Sequence, residues 1–333
     1  MSLIKAVAAT AIASTAFLAA PAPAHAQACA SRGDLDARFC DENGDLIADT
    51  PKDRSKWQNP ATLVFSYTPV EDPAVYENVF GEFMAHLSKV TGKKVRWFPA
   101  ESYAAQVEAM RSGRLHIAGV ATGPTPYAVN LAGYEPLIAM QRKDGSIGYT
   151  LQLITQKDSA IKSVADLKGK RIAHVSPSSN SGDIAPRALF SAMGVTPGKD
   201  YEVLYSGKHD NSVMGVVNKD YDAAPVASTV VERMQGRGMF KADALRVVYQ
   251  SEQFPRASFG VAHNLAPELK AKIKEAFLTF DFKSSKLGQE FKDVEKFGPI
   301  DYKQHWKDVR AIQKASGITY TQEALNKLPT KAE

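Results

Sequence analysis

From Ala61 onward, short runs rich in β-branched and aromatic residues alternate with stretches whose apolar positions recur at helical spacing. The pattern predicts strands at 61–67, 94–98, 115–120 and 136–141, with helices at 76–90, 103–112 and 126–132 between them. Gly92 and Gly113 stand where the first two helices should stop. The order restarts after Gly148, with strands at 149–155, 171–175, 201–205, 222–226 and 245–249. Helices at 163–167, 181–193, 212–217 and 228–235 intervene, Ser163 capping the first and Gly194 ending the second. The tail reads as helices at 267–280, near 287–294 and at 302–315. Such βαβα order predicts mainly parallel sheet with helices on both faces. The extended segments 148–155 and 254–262 read as the two crossings of a hinge. The chain would then build lobe one from 61–148 plus 255–333 and lobe two from 149–254, after an N-terminal extension at 29–60. Ligands in such folds sit beyond strand carboxyl ends and helix N-termini, here facing each other across a cleft.

The N-terminus sets the expected compartment. Lys5, the apolar run from Ala6 to Ala20 and the small residues Ala24, Ala26 and Ala28 have the layout of a cleavable secretory signal over 1–28. The run is too short and alanine-rich for a membrane anchor, and Gln27 is wrong for a lipid-attachment box before Cys29. A periplasmic protein is expected. There, Cys29 and Cys40, the two cysteines of the chain, can close one small disulfide loop; two thiols binding a soft metal are the alternative. The turn formed by Asp41, Asn43, Asp45 and Asp49 partly matches a calcium loop. Lys52 stands where such loops place Glu, and the segment reads as a solvated acidic turn. Over 333 residues, 44% hydrophobic and 23% charged composition is ordinary for a globular chain, and the length suggests two domains. The net charge of +5 is scattered, without a basic tract and interleaved aromatics, so nucleic acid is not an expected partner.

Two polar stretches carry the chemistry. The first runs from His174 through Ser176, Ser178, Ser179, Asn180 and Ser181 to Gly182, between a strand and a helix. A helix N-terminus offers unpaired N–H groups and about half a positive charge, so hydroxyls and an amide placed there make an oxyanion cradle. The same residues read equally well as a turn capped by Ser181. Asp183 would repel an anion from the cleft and is expected to face outward. The second stretch, Ser206 to Ser212, also joins a strand to a helix and contains His209. His209 can donate to an oxyanion, although a lone histidine at a helix start is more often structural; Lys208 reads as solvated. Gly-x-Ser-x-Gly, His-x-x-x-His and P-loop patterns are absent. His209 could serve Ser179 or Ser181 as a base, but donors to a bound anion need no activation, so neither an enzyme nor a cofactor is expected.

With both stretches in view, the chain resembles the phosphate/phosphite/phosphonate-binding proteins of ABC importers, from about Ala61 to Gly317. The landmarks occur in order: Tyr103-Ala-Ala-x-x-x-Ala-Met-Arg111, Asp144-Gly-Ser-x-Gly-Tyr149, Ser163-Val-Ala-Asp-Leu-Lys-Gly-Lys170, Ser179-Asn-Ser-Gly182 followed by Pro186, and Ser206-Gly-x-His209. The resemblance implies an α/β, type II periplasmic-binding-protein (Venus flytrap) fold with two lobes and a two-crossing hinge. It implies that the anionic head is held by Ser179, Asn180 and Ser181, by His209, and by Tyr103 and Tyr149, whose phenols donate without adding charge. Asn180 stands where a threonine is usual; an amide can still donate. Relatives that take aminoalkylphosphonates carry two acids for the ammonium group. Here those places read Thr229 (or its neighbour Ser228) and Ala257, beside Arg256. An arsenite-sensing branch needs a cysteine in the binding lobe, and none follows Cys40. Both departures point to a plain anion: phosphite, phosphate or a small alkylphosphonate. The expected protein is a monomer that delivers this ligand to an ABC permease and its ATPase, or else a sensor subunit that presents it to a histidine kinase.

Overall fold

The computed structural model of the protein describes residues 29–326, and the expected signal segment lies outside them. In chain order the first lobe contributes β1 (Thr62–Tyr67), α1 (Pro73–Val79), α2 (Gly81–Thr91), β2 (Lys94–Trp97), α3 (Tyr103–Arg111), β3 (Ile117–Val120), α4 (Thr125–Ala132) and β4 (Tyr134–Gln141). The second contributes β5 (Gly148–Gln156), β6 (Arg171–His174), α5 (Ala185–Ala192), β7 (Glu202–Tyr205), α6 (His209–Val217), β8 (Ala223–Ala227), α7 (Ser228–Gly236) and β9 (Leu245–Pro255). The chain then rejoins the first sheet with β10 (Ser258–Ala262), followed by α8 (Pro267–Thr279), α9 (Lys286–Glu290), β11 (Lys296–Pro299), α10 (Tyr302–His305) and α11 (Lys307–Ala315). The helix predicted over 76–90 starts earlier, where the Asp72 carboxylate accepts from the Ala74 N–H, and it breaks at Phe80 into α1 and α2.

The sheets are mixed rather than mainly parallel. The first has the order β11-β4-β10-β3-β1-β2, and the second β7-β6-β8-β5-β9. Pairs made within the βαβ runs are parallel: β1 with β2 and β3, β6 with β7 and β8. Strands laid down as the chain crosses or returns run against their neighbours: β5 against β8 and β9, β10 against β3 and β4, β11 against β4. The register of β5 and β9 begins at Gly148 opposite Pro255, which places the two crossings side by side as a hinge. Phe65, Phe80, Phe83, Phe259, Phe277 and Phe297 form an aromatic core within the first lobe. A second core runs without interruption from α3 and α4 into the strands and helices of the second lobe, through Met110, Leu131, Leu153, Val213 and Val230. The lobes are therefore closed on each other. Gly123, in the loop between β3 and α4, permits this. A Cβ there would lie 2.1 Å from the Ser178 carbonyl oxygen and 2.7 Å from the Asn180 nitrogen.

Candidate functional site

The serine-rich stretch leaves β6 and enters α5 through one wide turn, Asn180–Ile184, whose carbonyl–amide spacing is that of a π-helix. The capping residue is Ser179, not Ser181. Its Oγ accepts from the Gly182 N–H at 3.2 Å, and its carbonyl oxygen accepts from Asp183 and Ile184 at 3.1 and 3.0 Å. Gly182 is needed for this packing, since a Cβ would meet the Val175 side chain at 2.4 Å. Asp183 does not face solvent. It is buried beneath the turn, where Oδ1 pairs with His174 Nδ1 at 2.7 Å and also takes hydrogen bonds from Arg187 and Tyr205. That arrangement keeps its charge off the cleft while anchoring the turn to β6 and α5.

Between the lobes lies a cavity of about 60 Å³, and Tyr103, Tyr149, Ser179, Asn180, Ser181 and His209 all line it. On this measure one water needs roughly 10–15 Å³, so the space suits a small tetrahedral group. His209 opens α6, and its backbone N–H reaches across to the Val70 carbonyl of the first lobe at 3.0 Å. Its Nδ1 accepts from the Ala227 backbone N–H at 3.2 Å, which fixes the proton on Nε2, 3.3 Å from Ser179 Oγ. Burial pushes its pKa down to about 3, with Glu71 and Arg233 acting in opposite directions, so His209 is a neutral donor. Tyr103 starts α3, where Ser102 caps the helix by accepting from the Ala105 N–H at 3.1 Å. Burial raises its phenol far above the ordinary range, the nearby Tyr149 adds to that, and a hydrogen bond with Ser179 acts against it. Tyr149, at the hinge end of β5, accepts from Asn180 Nδ2 at 3.2 Å, leaving its own O–H to donate. Neutral donors from both lobes and the hinge therefore converge on one small space.

Comparison with known proteins places the chain in a family. Residues 65–306 match the family described as the periplasmic phosphonate substrate-binding protein of ABC transporters. The chain belongs to that family. Its members are substrate-binding transport components of the periplasm rather than enzymes. The phosphate-import protein PhnD of Mycolicibacterium smegmatis is 29% identical over 243 residues, which is 69% of this chain and 75% of that protein. Among solved structures, the binding component of a Pseudomonas aeruginosa ABC phosphonate transporter superposes with a TM-score of 0.70 at 23% identity, covering 80% of this chain and 94% of that one. PhnD1 from Prochlorococcus marinus, in complex with methylphosphonate, gives 0.69 at 19% identity over 78% of this chain and 99% of that one. These last two likenesses establish the two-lobed fold.

Within this phosphonate-binding fold, several cavity residues escaped the sequence reading. Thr68 follows β1 and Thr122 follows β3, both at strand carboxyl ends, where the rule for open α/β sheets could have found them. Thr68 Oγ1 is buried without a partner, as is Asn180 Oδ1. Arg233 and Arg256 also reach the cavity wall, and no spacing in the sequence announces them. Arg233 is paired with Glu71 of the first lobe at 2.7 Å, and Arg237 and Tyr76 join the same carboxylate. Burial alone would raise the Glu71 pKa, but Arg233, the Tyr76 hydrogen bond and Arg237 more than offset it and hold the carboxyl below its usual range. Lys208, expected to be solvated, instead spans the lobes to Glu101 at 3.5 Å. Cys29 and Cys40, expected to be bonded, stand as free thiols in contact with each other. Cys29 Sγ is turned toward the Phe39 carbonyl oxygen and the Arg32 guanidinium, and burial followed by Cys29 pushes the Cys40 thiol up to about 11.

Proposed function

We propose that the protein captures a small phosphorus oxyanion (phosphite, phosphate or a small phosphonate) and delivers it to an ABC importer, without turning it over. Ser179, Asn180, Ser181, His209, Tyr103 and Tyr149 hold the head group in this reading. The convergence of neutral donors from two lobes and the hinge on a space of about 60 Å³ carries it. A dianion placed among fixed N–H and O–H donors is stabilised by charge-assisted hydrogen bonds from groups that add no charge of their own. The import activity of the Mycolicibacterium relative and the methylphosphonate bound by the Prochlorococcus protein support the same ligand class. Residues 1–28 act as the export signal, 61–148 plus 255–333 and 149–254 are the working lobes, and the protein acts as a monomer.

Isothermal titration of the purified protein with phosphite, phosphate and methylphosphonate tests this. At least one should bind saturably at one site. Each hydrogen bond lost to the charged ligand costs roughly 1.5–3 kcal/mol, about ten- to a hundredfold in affinity. His209→Ala should weaken binding by that order, and Ser176→Ala, outside the cavity, should not. Binding by none of the three anions, or a His209→Ala protein that binds as the parent does, would overturn the reading.

A further inference from the structure

The charged side chains on the cavity wall are Arg233 and Arg256. Their carboxylate partners stand behind them. Glu71, which takes two hydrogen bonds from Arg233, does not line the cavity, and neither does Asp293, which pairs with Arg256. Each ion pair is thus a dipole with its guanidinium end toward the ligand space. Arg233 lies four residues after Thr229 on α7, so the two share a face, and Arg256 adjoins Ala257; all four line the cavity. Thr229, Arg233 and Phe291 are also shared with an adjoining crevice of about 200 Å³. Acids do occur in that crevice: Glu290 is engaged with Arg233 and Arg237, Asp293 with Arg142 and Arg256, and Glu232 lines the crevice but not the cavity.

We infer that Arg233 and Arg256 determine which substituents the site admits on its phosphorus oxyanion, favouring uncharged or carboxylate-bearing groups and excluding ammonium groups. This rests on the reading of the cavity as an oxyanion site and adds the chemistry of the part of the ligand beyond the head group. A guanidinium facing a partly dehydrated space attracts a carboxylate or hydroxyl and repels a second cation. A uniform increase in head-group affinity would not discriminate between substituents; a wall charge does, because it acts with opposite sign on opposite ligand charges.

Phosphonoacetate and aminoethylphosphonate have the same reach and opposite terminal charge, and methylphosphonate has no terminal group. With the full-length mature protein, phosphonoacetate should bind more than about tenfold tighter than aminoethylphosphonate. Arg256→Met leaves Asp293 paired with Arg142 at 3.0 Å and keeps a long apolar side chain. Glu71→Gln with Arg233→Gln removes the other pair and leaves Arg237 and Glu290, which lose one partner each, facing one another at 3.8 Å. In either variant, checked for folding by its melting temperature, the ratio between the two ligands should fall at least threefold, and in Arg256→Met methylphosphonate affinity should change less than about threefold. An unchanged ratio in both variants overturns the inference. So does an equal loss for all three ligands in Arg256→Met, which would assign that arginine to closure or to the head group. Failure of the parent to bind any of the three would instead overturn the oxyanion reading beneath it.

Discussion

At the scale of single residues, the site depends on a histidine that does not ionise. His209 is buried, its Nδ1 is occupied by a backbone N–H, and its pKa is pushed from 6.5 to about 3. Because the folded pKa lies below the unfolded one, the stability this group contributes is complete above pH 6.5. It falls as pH drops from there toward 3, since the unfolded chain takes up a proton that the folded chain refuses. The slope for this one group is about 1.4 kcal/mol per pH unit. His116, His174 and His263 are shifted in the same direction by burial. Thermal melts from pH 7 to pH 5 should therefore show falling stability above the ordinary carboxylate range, and His209→Gln should flatten part of that slope. Equal slopes for parent and variant would mean that the imidazole charges in the folded state. Ser179, Asn180, Ser181 and His209 stood out in the sequence because hydroxyls, an amide and Gly-x-His cluster locally between predicted strands and helices, whereas Tyr103 and Tyr149 came only from the family resemblance. Arg233 was not, since its meaning comes from Glu71, 162 residues away. Gly123 was not either, because only the folded chain brings it against Ser178.

Among the elements, the wide turn Asn180–Ile184 separates two roles that the sequence left merged. Ser179 caps and also faces the cavity, whereas Ser181 faces the cavity without capping. Ser179→Ala should accordingly cost roughly 0.5–2 kcal/mol of stability in addition to ligand affinity. Ser181→Ala should lose affinity at nearly parental stability. Paired melting and titration of the two variants checks this, and a destabilised Ser181→Ala protein with an intact Ser179→Ala one would reverse the assignment. Most strands and helices were legible because their apolar positions hold one period throughout. β11 was not: Lys296-Phe-Gly-Pro299 contains both strand breakers, and it pairs only because β4 offers it an edge. The mixed sheets were hidden for a related reason. Alternation of strands and helices predicts parallel neighbours, but a chain that crosses to a second lobe and returns must run back against its own outgoing strand.

For the molecule as a whole, ligand contacts from both lobes should favour the closed form seen here, so the radius of gyration from solution scattering should shrink on adding ligand. Gly123→Ala should block this, because its methyl would press on backbone atoms of the serine turn, which have no rotamer to yield. The variant should fold, remain extended at saturating ligand and bind at least tenfold more weakly. Compaction equal to the parent would show that the loop gives way. The ion pairs of Glu71 with Arg233 of α7 and with Arg237 just past its end bear on a different quantity, the time the ligand stays. Opening must separate a buried carboxylate from its partners before water reaches them. The approach of a ligand to the open cleft meets no such barrier. Glu71, a side chain outside the cavity lining, thus bears on departure rather than on arrival, as an escapement does.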